Sequence, residues 1–146
     1  MRKDDPPVVV EQTFNTSAEV VWKAITEVDQ MRQWFFENIP EFEPKVGFET
    51  QFNVNSGERN FLHLWKITAV EPQKLVTYNW KYQDYAGDSF VIFEIMEVNN
   101  QAKLKLTTQI IESFSQDIPE FKRESCVAGW TYFINKNLKE YIENLA

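Results

Sequence analysis

Few side chains in this sequence can do acid–base or nucleophilic chemistry. His63 is the one histidine and Cys126 the one cysteine. His63 falls in strand phase with Phe61, Trp65 and Ile67, so it can point inward and serve as a base or a ligand anchor. A hydrogen-bonded or rim histidine is the competing reading, since no partner residue is identifiable. One His and one Cys far apart in sequence do not make a zinc site. Cys126 has no neighbour in sequence that would lower its pKa, and a cysteine on a helix reads as a small hydrophobe. Glu37, Glu41, Glu43, Glu94, Glu97 and Glu112 could supply a general-acid pair, but no spacing marks two of them. Glu94, between Phe93 and Ile95, reads as solvent-facing. Arg32, Arg59 or Arg123 could clamp a carboxylate at a cavity mouth, with solvent exposure the plainer reading for each. Nothing here calls for a metal or a cofactor.

Aromatic chemistry is far richer. The 12 Phe, 5 Trp and 5 Tyr make up 15% of the chain. Such rings build cores and also line apolar pockets. The strand face Val76, Tyr78, Trp80, Tyr82 carries two hydroxyls and an indole N–H on an apolar wall. That is a pocket wall able to orient a ligand through a few polar tips, or ordinary core packing. The same two readings apply to Phe48, Phe52, Val91, Phe93, Ile95, Leu104, Leu106 and Thr108, whose alternation marks one sheet face.

Composition excludes several classes. A net charge of -7 repels phosphate backbones, so nucleic acid is not an expected partner. Four glycines leave no room for a glycine-rich phosphate loop. A single cysteine forbids an intramolecular disulfide. Met1 to Pro7 lacks the apolar stretch of a signal peptide, and no run approaches 18 apolar residues, so neither secretion nor membrane insertion is expected. The expectation is one cytoplasmic domain over residues 1–146, with 1–7 a frayed lead-in.

The elements that would position these residues follow from period and punctuation. Val8 to Phe14 reads as a strand after Pro6-Pro7. Thr16 with Glu19 fits a capping box for a helix bearing Ala18, Val21, Trp22 and Ile25 on one face. Asp29 can cap a second short helix carrying Met31, Trp34 and Phe35. Residues 38–47 are irregular, with room for one short strand. After Gly47 the period becomes two, giving strands near 48–54, 59–70, 74–82, 89–98 and 103–111, with Asn99 to Ala102 a good hairpin connection. From Glu124 to Leu145, Val127, Trp130, Ile134, Leu138, Tyr141, Ile142 and Leu145 recur every three or four residues. That is one apolar stripe on a helix of about six turns. A stripe this long needs a wide apolar partner, which a curved sheet supplies, and a helix gripped by a curved sheet encloses space. The order β-α-α-β6-α implies an α+β fold with an antiparallel sheet.

Four sequence pieces in this order resemble the START-like (SRPBCC, Bet v 1-like) superfamily, in the group related to the heat-shock protein 90 ATPase activator. They are Val21-Trp22-Lys23-Ala24-Ile25-Thr26 ending in Gln33-Trp34-Phe35; Val46-Gly47-Phe48-Glu49; Ile67-Thr68-Ala69-Val70-Glu71-Pro72 continuing through Lys74-Leu75-Val76-Thr77-Tyr78-Asn79-Trp80; and Ala128-Gly129-Trp130 followed by Leu138 and Tyr141-Ile142. The resemblance spans about residues 8–145. It implies a helix-grip fold, a curved antiparallel sheet wrapped around a long C-terminal helix with a cavity between them. It does not imply one activity, because relatives include lipid carriers, hormone binders, aromatic cyclases and chaperone regulators. Trp65 stands where many relatives carry glycine, and its ring could fill cavity volume.

Three functions follow in order. The first is binding of a small hydrophobic or aromatic molecule, with Phe52, His63, Trp65, Tyr78, Trp80, Phe93, Thr108, Trp130 and Ile134 lining the cavity. The second is a protein-interaction module acting on a chaperone or another protein. The third is a cyclase, hydratase or isomerase using Tyr78 or His63.

Overall fold

The computed structural model describes residues 1–145. Alternating burial along Val8–Phe14 makes β1, which pairs antiparallel with the last strand from Val8 opposite Thr108 to Phe14 opposite Ala102. Two short helices follow, α1 (Ala18–Thr26) and α2 (Val28–Trp34). The cap of α1 is Ser17 rather than Thr16: its hydroxyl accepts from the Val20 N–H, while Glu97, far along the chain, accepts from the Ala18 N–H at 2.7 Å. Helix α2 begins after Glu27 without a side-chain cap, and Asp29 lies inside its first turn, beside Arg32. The indole N–H of Trp34 donates to the Ala24 carbonyl at 2.8 Å and ties α2 to α1.

Five strands come next: β2 (Glu49–Ser56), β3 (Arg59–Glu71), β4 (Leu75–Tyr82), β5 (Asp88–Val98) and β6 (Gln101–Glu112). The helix pair is therefore followed by five strands rather than six, and β1 completes a six-stranded antiparallel sheet in the order β1-β6-β5-β4-β3-β2. Residues 39–44 form no strand. Asn99 and Asn100 both have positive φ, the two-residue turn that matches the strand twist between β5 and β6. A register shift between Ile67 and Ala69 bulges β3 and helps the sheet curve.

The last helix, α3, runs through Arg123–Trp130, a π-wound middle Thr131–Leu138 and a final turn Lys139–Glu143. Its buried residues are Trp130, Ile134, Leu138 and Ile142, one every fourth position. In a straight α-helix each step of four overshoots a 3.6-residue turn by about 40°. The wider π turn takes up that overshoot and keeps the four on the sheet side. Val127 and Leu145, expected on this stripe, are 39% and 52% exposed. Val127 precedes the π segment and Leu145 follows the helix, so neither shares its phase.

This is the helix-grip architecture: α3 lies against the concave face of the curved sheet. One large core joins sheet, α1, α2 and α3. A second, smaller cluster of Phe61, Ile110, Phe114 and Phe121 sits at one end. The lead-in expected to fray is tied to that end. The Met1 nitrogen donates to the Phe121 carbonyl at 2.7 Å, the Met1 carbonyl accepts from Phe114 N–H at 2.9 Å, and Lys3 N–H reaches Ser113 Oγ at 3.0 Å. No helix among the described residues is long and apolar enough to cross a membrane.

Candidate functional site

The alternation that buries one face of β3 to β6 aims His63, Trp80, Tyr82, Ser89, Val91 and Thr108 at the first turns of α3. Where Cys126, Gly129, Trp130 and Phe133 meet them, the helix does not close on the sheet. A partly open cavity of about 160 Å³ remains, completed by Phe36, Phe114, Phe121 and the rim residues Met1, Glu120 and Ser125.

Four of the nine residues expected to line a cavity do so: His63, Trp80, Thr108 and Trp130. Phe52, Trp65, Tyr78, Phe93 and Ile134 are buried but lie in solid packing away from it. The reason is the segment after α2. Phe35 stacks on Trp34 with centroids 4.6 Å apart and also meets Trp65, Trp130 and Phe133 at 5.5, 5.7 and 5.0 Å. Phe42 packs on Tyr78 at 5.5 Å. These rings plug the middle of the sheet and confine free space to one end. Arg32 holds the plug in place, donating to the Ile39 and Pro40 carbonyls at 2.8 Å.

Tyr82 and Val91, read from strand phase as pocket wall or core, also line the cavity. Several other lining residues escaped the sequence reading. Phe114 and Phe121 lie in a connection with no periodicity, and Gly129 and Phe133 fall off the main helical stripe.

The electrostatics are those of a neutral site. His63 is 5% exposed and donates from Nδ1 to the Phe61 carbonyl at 3.0 Å, which leaves Nε2 as an acceptor. Burial pulls its pKa down to about 4, so the ring is uncharged at neutral pH. Burial pushes the Cys126 thiol up to about 11, with the nearby Thr108 hydroxyl pulling the other way, so it is not a thiolate nucleophile. The Trp80 indole N–H donates to the Tyr82 hydroxyl at 3.0 Å. Burial also raises the pKa of Tyr82, so its proton stays on. Thr108 Oγ1 is buried with no hydrogen-bond partner. At the rim, hydrogen bonds from Ser56 and from its own backbone N–H, together with Arg59, hold the Glu120 carboxyl below the usual range.

None of the arginines clamps a free carboxylate: Arg59 pairs with Glu120 and Arg123 donates to the Pro6 and Pro7 carbonyls. Among the described residues, no group of three or more His, Cys, Asp or Glu is placed to hold a metal ion. The arrangement can therefore enclose a small uncharged group between rings and offer it a few hydrogen bonds. It presents no activated nucleophile.

A family model described as activator of Hsp90 ATPase homolog 1-like protein matches residues 15–143. No curated protein matches the chain. Among solved structures, a protein from Chromobacterium violaceum is similar at TM-score 0.78 and 16% identity, over 94% of this chain and 96% of that one. An HSP90 activator from Plasmodium falciparum is similar at TM-score 0.74 and 23% identity, over 95% of this chain and 97% of that one. The Aha1 dimer from Colwellia psychrerythraea gives TM-score 0.72 and 21% identity, over 95% of this chain and 97% of that one. At these identities the likeness is one of fold.

Proposed function

The chain belongs to the activator of Hsp90 ATPase homolog 1-like family, and from that premise we propose that it binds a compact, ring-sized apolar molecule in the cavity between the sheet and the first turns of α3. Thr108 carries this reading. The residue is 4% exposed and stands on the cavity wall, and its buried hydroxyl makes no well-formed hydrogen bond, with the Cys126 thiol as a weak neighbour. A buried hydroxyl left unmatched costs about 1–3 kcal/mol, which a polar atom of a ligand would offset. The volume sets the size class. An apolar cavity of about 150 Å³ takes benzene, whereas drug-sized ligands need roughly 300–1,000 Å³. Lipids, sterols and polycyclic aromatics are therefore too large for these walls, and single-ring compounds fit.

The test is a titration with toluene and phenol followed by tryptophan emission, since Trp80 and Trp130 both bound the cavity. Gly129→Leu is the control, because a Cβ at Gly129 meets nothing within 4 Å and a longer side chain grows into the free volume. Saturable binding that Gly129→Leu abolishes supports the reading. No binding to the wild type, or equal binding to the plugged variant, overturns it.

A second reading, action on a chaperone, is favoured by a separate observation. Met96 and Val98 are 59% and 53% exposed at the end of β5, next to Pro72 and Leu75 of the β3–β4 turn. An apolar patch of this kind suits a protein partner, and relatives of this fold include an HSP90 activator. The measurement is ATP turnover by a heat-shock protein 90 with the chain added, wild type against Met96→Glu. Stimulation lost in the variant supports docking at this patch, and no stimulation by the wild type removes the reading.

A further inference from the structure

Resting on the cavity reading above, we infer that the cavity selects a neutral ring compound bearing a carbonyl oxygen, and that the Tyr82 hydroxyl is the specificity-determining donor that receives it. The inference begins with a chain of two hydrogen bonds of which only the first is made. Trp80 Nε1 donates to the Tyr82 oxygen at 3.0 Å. An indole N–H can only donate, so this contact fixes the phenol as acceptor there and turns its own proton elsewhere. Among the described residues the Tyr82 proton meets no acceptor, and Tyr82 lies on the cavity wall. A hydroxyl that already accepts one hydrogen bond is the stronger donor for the next. Trp80 thus both orients and polarises the group that faces the void.

The remaining polar groups agree on the sign of the ligand. Thr108 offers a second hydroxyl without a partner. The hydroxyls of Ser89 and Ser125 are already donating, to the Trp80 carbonyl at 2.7 Å and the Pro119 carbonyl at 2.9 Å. Tyr82 and Thr108 present unused donors on the sheet wall, while His63 Nε2 is left as an acceptor, so a ligand that meets the Tyr82 proton carries an acceptor at that point. Charge narrows the class further. The lining contains no Lys or Arg side chain, its carboxylate is Glu120, and the Met1 nitrogen at the rim is engaged by the Phe121 carbonyl. The positive charge at the rim, the Met1 ammonium, is already held by the Phe121 carbonyl, and Arg59 is taken up by Glu120, so a carboxylate or phosphate would be poorly compensated among the apolar walls. A neutral carbonyl accepts from Tyr82 without that penalty, and its ring lies among Phe36, Trp80, Trp130 and Phe133.

The experiment compares acetophenone, ethylbenzene and benzoate, three single-ring probes of similar size, by tryptophan emission on wild type, Tyr82→Phe and Trp80→Phe. On wild type, acetophenone is expected to bind roughly 3- to 10-fold more tightly than ethylbenzene, the value of one net hydrogen bond, with benzoate weakest. Tyr82→Phe keeps the ring and is expected to erase that preference while leaving ethylbenzene affinity within about twofold. Trp80→Phe, which removes the polarising donor, is expected to reduce the preference without erasing it. Ethylbenzene binding with no preference for the ketone, or a preference that survives Tyr82→Phe, overturns the assignment of Tyr82 and leaves the cavity reading standing. Binding of none of the three overturns both. Benzoate binding as tightly as acetophenone overturns the neutral class.

Discussion

Trp65 and Trp80 stand directly opposite each other across the β3–β4 ladder with ring centroids 5.0 Å apart, and they mark the border between solid core and cavity. Trp80 bounds the cavity and donates to Tyr82. Trp65 faces the other way energetically: it is 2% exposed, hemmed in by Phe52 at 4.8 Å and Tyr78 at 5.0 Å, and its Nε1 has no partner. The ring that could have been a ligand platform is part of the fill.

That unmatched nitrogen gives a matched pair of substitutions. Trp34 is as deeply buried as Trp65, but its indole N–H is used, donating to Ala24. Trp34→Phe removes ring volume and strands a carbonyl, whereas Trp65→Phe removes similar volume together with an orphan donor. We expect Trp34→Phe to cost at least about 1 kcal/mol more than Trp65→Phe in urea melts. Equal losses would show that Trp65 Nε1 finds a partner, such as a buried water.

The β4–β5 connection holds the cavity's outer wall. Gly87 has φ +123, and a Cβ there would lie 2.2 Å from the Phe114 ring. Gly87→Ala therefore combines a strained backbone with a collision against a wall residue. The expected loss is about 2–4 kcal/mol. Thermal melts measure it, and alkylation of Cys126 by a small reagent should speed up as Phe114 swings out. An unchanged melting temperature would mean that this loop and Phe114 do not pack as described.

Much of the fold was legible because its cues are local. Pro6-Pro7 and strict alternation bound β1 at Val8–Phe14, and a pair of asparagines able to adopt positive φ sets the β5–β6 hairpin. What was not legible depends on distant partners. Thr16 and Ser17 are adjacent hydroxyls, and the cap falls to Ser17 where Glu97 of β5 also meets the first turn. Phe35, Phe36 and Phe42 sit in or beside a stretch without periodicity, so nothing local says that they fill the sheet's centre and move the free space to one end. Phe114 and Phe121 are isolated rings in a connection, and only the folded chain brings them onto Phe61 and Tyr82. The inward direction of His63, Trp80, Thr108 and Trp130 was legible because strand and helix phase suffice for it. Phase cannot distinguish an inward residue at a void from one in solid packing.

His63 should write itself into the pH dependence of stability. Burial lowers its folded pKa to about 4 from an ordinary 6.5. Between those values the unfolded chain binds a proton that the folded protein refuses, so stability falls as pH drops through this window and is flat above it. The full effect is on the order of 3 kcal/mol. Carboxylates with depressed folded pKa, such as Glu120, act in the same direction but only below about pH 4.5. The range from pH 6.5 to 4.5 therefore isolates the histidine. Urea melts of wild type should show the decline there, and His63→Phe should flatten it. Parallel profiles would place the histidine in contact with solvent.

Gly129 separates what stabilises the helix from what keeps the cavity. It lies within the Arg123–Trp130 part of α3, where glycine costs about 0.5–1 kcal/mol relative to alanine through chain entropy. A Cβ at this position meets nothing within 4 Å, so alanine brings no collision, and the space it enters belongs to the cavity. Gly129→Ala should accordingly raise stability by about 0.5–1 kcal/mol, near 2–4 °C in melting temperature for a chain of this size. The same methyl trims the cavity, so affinity for a single-ring probe should fall while stability rises. Thermal melts paired with a toluene titration read both quantities on one sample. A loss of stability would show that α3 sits closer to the sheet at this point, and a gain in both stability and affinity would show that the probe binds elsewhere.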